Sequence, residues 1–96
     1  MHSIEKQFQE FAESIKNICC NISVRCDENG SYIFAIGLDD THSIEIRNIE
    51  NQFVLELWIG KTVEDEKIVS EPKFTDMNAA FQCAKKWLEK DNLCNL

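Results

Sequence analysis

Ninety-six residues, 44% of them hydrophobic and 28% charged, are enough for one packed core and unlike the composition of a disordered chain. The 17 Asp and Glu outnumber the 10 Lys and Arg, for a formal charge of −7. That balance argues against direct binding to nucleic acid or to an anionic membrane, because affinity for polyphosphate comes mainly from Lys and Arg displacing counterions. Five cysteines, Cys19, Cys20, Cys26, Cys83 and Cys94, are odd in number and irregular in spacing. They make a poor disulfide framework, so a reducing, cytoplasmic setting is expected. The opening stretch, with Glu5, Glu10 and Glu13, has neither the basic nor the apolar region of a secretory signal. A single domain over residues 1–96 is expected, with a frayed tail from Asp91.

From Ser3 to about Cys20, Ile4, Phe8, Phe11, Ile15 and Ile18 recur in steps of four and three, the period of one helix face, with Ser3 placed as N-cap. The period then falls to two. Asn21 to Cys26 reads as a strand, Asp27-Glu28-Asn29-Gly30 as a tight turn, and Ser31 to Leu38 as a second strand with Tyr32, Phe34, Ile36 and Leu38 inward. After a turn at Asp39 to Thr41, His42 to Ile49 places Ile44 and Ile46 inward. Glu50 to Gln52 turns again, and Phe53 to Gly60 places Phe53, Leu55, Leu57 and Ile59 inward. Lys61 to Glu66 is a polar loop, Lys67 to Ser70 a short fifth strand, and Pro72 its end. Helical spacing returns from Thr75 to about Lys90, capped by Thr75 or Asp76.

These elements predict an α+β fold of two layers. A four- to five-stranded antiparallel meander is covered on one face by the N-terminal and C-terminal helices. The opposite face then carries Ser23, Arg25, Ile33, Ala35, Glu45, Arg47, Val54, Glu56 and Trp58.

The familiar chemistries find little support. Structural zinc wants paired ligands at spacings such as C-x₂₋₄-C, and adjacent Cys19 and Cys20 point in different directions. Cys26 and Cys83 fit as small core residues. Nucleophilic catalysis needs a base beside the nucleophile, and His42 reads as a solvated strand residue. Gly30, Gly37 and Gly60 are isolated, so no Gly-rich loop cradles a phosphate. Neither metal nor cofactor is expected, nor an enzyme.

Trp58 is the residue that stands out, because Trp on an open sheet face buries much area at low entropic cost. It is the centre of an expected partner-binding surface with Ile33, Val54, Arg47 and Glu56. Trp87, at helical spacing with Phe81 and Ala84, reads as core. The run Glu64, Asp65, Glu66 forms an acidic tip that solvates a loop or meets a basic partner.

The amphipathic first helix, the strand leading into Asp27-Glu28-Asn29-Gly30, the run SYIFAIGLDD and the pair HSIEIR and NQFVLELWIG together resemble the opening of class I type III secretion chaperones. The resemblance covers about residues 3–60 and implies a small, acidic, cytoplasmic homodimer that holds a protein client on its surface. The chain departs from that family by passing to its final helix without their middle helix. Two functions are expected from these readings. One is an adaptor or chaperone-like protein with a protein partner and a homodimeric form. The other is an inhibitor or immunity protein, including a phage-encoded one, that blocks a nucleic-acid-binding or toxin protein through its acidic surface.

Overall fold

A computed structural model describes residues 4–89; Ser3, the tail from Asp91 and Cys94 lie outside them. The element order is α1 (Ile4–Ile15), β1 (Cys19–Asp27), β2 (Gly30–Gly37), β3 (His42–Ile49), β4 (Gln52–Ile59), β5 (Lys67–Ser70), β6 (Lys73–Phe74) and α2 (Met77–Leu88). The strands form one antiparallel sheet in the order β1-β2-β3-β4-β5, with β6 also paired to β4. This is the α+β meander expected from the sequence.

Local chemistry explains the boundaries. α1 ends earlier than its periodicity suggests: a turn closed by the Ile18 amide on the Ile15 carbonyl (3.0 Å) feeds the chain into β1 at Cys19, and β1 carries a bulge between Cys19 and Asn21. The β3–β4 hairpin pairs Ile49 with Gln52 around Glu50 and Asn51, both at positive φ (53° and 67°). That backbone matches the twist of the flanking strands. In the β1–β2 turn the positive φ falls on Gly30 (103°), while the Asp27 carboxylate accepts the Asn29 amide at 2.8 Å. α2 is capped by Asp76, whose carboxylate accepts the Ala79 amide.

β5 ends before Pro72, as expected, but the sheet goes on past it. Having no N–H, Pro72 fits an edge, and its carbonyl still accepts the Leu55 amide at 2.9 Å, so β6 continues along β4 beyond it.

Both helices cover one face. Phe8, Phe11 and Ile15 of α1 and Ala80, Cys83, Ala84, Trp87 and Leu88 of α2 share a single core with Ile33, Ala35, Ile44, Ile46, Phe53, Leu55 and Leu57. Phe81 joins the helices, stacked on Phe11 at 4.2 Å. β2 takes the opposite phase from the one its alternation suggests. Ile33 and Ala35 are fully buried under the helices, opposite Ile46 and Ile44, and Tyr32, Phe34 and Ile36 take the other face. Size is the reason. At Gly37 an added Cβ would lie 2.8 Å from the Leu88 carbonyl, so the small side of β2 is the one a helix can approach. Cys26 is likewise exposed rather than core, whereas Cys83 is buried.

Candidate functional site

Among the described residues no helix or strand covers the second sheet face. Pairing arranges its side chains in three rungs. The first holds Asn21, Ile36, Ser43, Trp58 and Ile68; the second Ser23, Phe34, Glu45 and Glu56; the third Arg25, Tyr32, Arg47, Val54 and Lys73. Tyr32, Phe34, Ile36, Val54 and Trp58 are each only part-buried. They give this face an apolar and aromatic stretch.

The polar groups on this face hold its rings in place. The Arg47 guanidinium lies 4.2 Å above the centre of the Tyr32 ring. It donates to both Asp27 carboxylate oxygens (3.2 and 3.0 Å) and to Glu45 (3.1 Å). These bonds lower the pKa of Asp27 and raise that of Arg47, in both cases chiefly through their mutual hydrogen bonds. The Trp58 indole donates to Glu56 at 3.2 Å, which tethers the ring along its own strand. Ser43, between Ile36 and Trp58 on its rung, is only 5% exposed. The two large neighbours shield it, so the surface is packed before any partner arrives.

Of the residues singled out from the sequence, Trp58, Val54, Arg47 and Glu56 therefore share this face, and Ile33 does not. Glu64, Asp65 and Glu66 sit in the exposed loop between β4 and β5, which the Thr62 carbonyl closes by accepting the Asp65 and Glu66 amides. The loop folds back against Gly60, where an added Cβ would meet its backbone at 2.7 Å. It stands just beyond the Trp58–Ile68 pair, at one end of the open face. Sequence reasoning missed Tyr32, Phe34, Ile36 and Ile68; the strand pairing of β2, rather than its own alternation, identifies the first three, and the pairing of β5 with β4 identifies Ile68.

A second cluster lies in the β2–β3 turn. Asp39 accepts the amides of Thr41 and His42 (3.0 and 3.1 Å), the Thr41 hydroxyl, and a contact of 2.7 Å from Nδ1 of His42. Burial acts to raise the Asp39 pKa, but these hydrogen bonds outweigh it and hold the carboxyl well below its ordinary range. His42 is not a solvated residue: its side chain is 15% exposed, on the helix side, edge-on to Trp87 at 4.9 Å. The Trp87 indole in turn donates to the Trp58 carbonyl at 3.0 Å. This arrangement clips a turn and seats α2 on the sheet.

Because the folded pKa of Asp39 is depressed, its contribution to stability is complete above its unfolded value of about 4 and is lost as the pH falls below it. Asp39→Asn should destabilise the fold by about 2 kcal/mol at pH 7, with a gap to wild type that narrows below about pH 4 in urea titrations. A gap independent of pH would place the stabilisation elsewhere.

Burial, with the neighbouring Cys20 adding to it, pushes the Cys19 thiol up to about 11, away from the thiolate form. Among the described residues no group of three His, Cys, Asp or Glu is placed to hold a metal ion, and no helix is long and apolar enough to cross a membrane. A shallow groove of about 400 Å³, lined by Ile18, Leu38, Asp39, Leu88 and Glu89, opens at the sheet end beside the Asp39 turn. No protein-family model, curated protein or solved structure matches the chain.

Proposed function

We propose that this protein works by recognising another protein on its open sheet face, as a cytoplasmic adaptor or secretion-chaperone-like molecule, and not by catalysis. One observation carries the reading: five part-buried apolar and aromatic residues, Tyr32, Phe34, Ile36, Val54 and Trp58, share a sheet face that no described element covers. Apolar side chains of this size contribute about 1.5 to 3 kcal/mol each when fully buried, so covering a few of them supports a specific complex. The test is parallel affinity capture from host lysate with wild-type protein and with Phe34→Ser as bait. A protein retained by the first and lost by the second supports this face; equal capture by both contradicts it.

The net charge of −7 and the exposed Glu64-Asp65-Glu66 tip favour a second reading, an inhibitor or immunity protein that blocks a basic, nucleic-acid-binding or toxin protein. Charged rims act mainly on association rate. Replacing the three acids by Ser should slow association with such a partner several-fold at low salt and leave little difference above about 0.5 M salt. Unchanged low-salt kinetics would remove the tip from the contact.

A further inference from the structure

We infer that the outer edge of β1, which no described strand pairs, joins the β1 of a second copy, making two chains one continuous sheet. The two edges of the sheet differ in kind. On the far side, β5 and β6 are short, interrupted at Glu71-Pro72, displaced by a bulge at Leu57/Trp58, and bear Lys67 and Lys73. Natural sheets blunt an edge by these means. β1 has nine residues without proline, and the six from Cys19 to Val24 carry no charge. Its bulge lies near one end and its charges, Arg25 and Asp27, towards the other, which leaves an uncharged middle open to strand addition.

The helix layer supplies an independent geometric argument. α1 packs over β1 and β2, and α2 over β3 and β4. Strands lie about 4.8 Å apart, so helices two strands apart stand at about 10 Å, their normal packing distance. Pairing β1 with its copy places the second α1 over the next two strands, one such step beyond the first. The layer α2, α1, α1, α2 is then evenly spaced, with its helices side by side on one face.

The full-length register is centred on Ser23, the middle residue of Cys19–Asp27. It sets Ile22 opposite Val24 of the copy, Cys20 opposite Cys26, and the exposed Asn21 opposite the exposed Arg25 on the open face. No like charges meet. The open face stays free and becomes continuous across both copies, so the pairing does not depend on the proposed function, and a monomeric protein would leave that reading intact.

Sedimentation equilibrium of the reduced full chain tests the inference. The expected result is a concentration-dependent mass approaching twice the 11.1 kDa chain. With −7 on each copy, added salt should strengthen the dimer by screening repulsion. Asn21→Lys, which faces Arg25 twice in the dimer, should raise Kd roughly fivefold, and Asn21→Glu should lower it by a similar factor. Net charge alone predicts the reverse order, since the Glu variant is the more acidic. Ser23→Glu and Ser23→Lys should each be monomeric, because identical charges meet on the axis, and an equimolar mixture of the two should dimerise. A monomer at all concentrations, or Asn21 variants ordered as net charge predicts, would overturn the inference.

Discussion

Ile33→Ala is expected to destabilise the protein by about 2 to 4 kcal/mol, whereas Phe34→Ala, one residue along the same strand, should cost less than about 1 kcal/mol. Ile33 is fully buried between the sheet and α1, opposite Ile46 and beside Val24, so truncation leaves a cavity that a two-layer fold of this size has little freedom to fill. Phe34 is larger, but its ring faces away from the helices next to Glu45 and Ser23, where water replaces it. Urea midpoints at constant m-value measure both. The reverse ranking would mean that β2 sits one residue out of phase, which would exchange every side chain between its two faces.

The second large effect concerns recognition. Trp58→Ala should weaken a partner seated on the open face by about 2 to 4 kcal/mol, roughly 30-fold or more in Kd, while the melting temperature changes by only a few degrees. The asymmetry has a structural basis. The part-buried Trp58 ring is held by Glu56 on the open face, and the bond that matters to the fold, from the Trp87 indole, is accepted by the Trp58 main-chain carbonyl, which the substitution keeps. Isothermal titration beside a thermal melt separates the two contributions. Global unfolding with no selective loss of binding would make Trp58 a core residue.

The contrast between β2 and β4 shows what could be read in the residues themselves. In β4, Phe53, Leu55, Leu57 and Ile59 alternate with Gln52, Val54, Glu56 and Trp58, and the polar Gln52 and Glu56 leave one choice of inner face. The order of elements, the one-sided helices and the placement of Trp58 on the open face follow from such patterns. β2 reads GSYIFAIG, apolar on both parities, so alternation alone favours the bulkier set as core. The structure takes the opposite choice because Ile33 and Ala35 are in register with Ile46 and Ile44, and because α2 needs the bare backbone of Gly37. Both are long-range facts, set by residues elsewhere in the chain. The Asp39 clip was half visible: an Asp two residues before Thr41 is an ordinary turn signal, but only the packing of Trp87 brings His42 under the helix. Pro72 carries a related lesson, since its missing N–H forbids a central strand and permits an edge.

The open face differs from the helix-covered one in degree as well as place. Its aromatic residues alternate with Glu45, Arg47 and Glu56, and the Arg47–Asp27–Glu45 network fixes the Tyr32 side of the surface. Preorganised side chains lose little entropy on contact, which favours selective recognition over nonspecific adhesion.

The most direct test of this account is a chemical-shift map of the isotopically labelled protein, recorded with and without the protein captured by the wild-type bait. Perturbations are expected to concentrate at Tyr32, Phe34, Ile36, Val54 and Trp58, with the outward surface of α1 and α2 unchanged. Perturbations confined to the helix layer, or to the groove between Ile18 and Leu88, would contradict it.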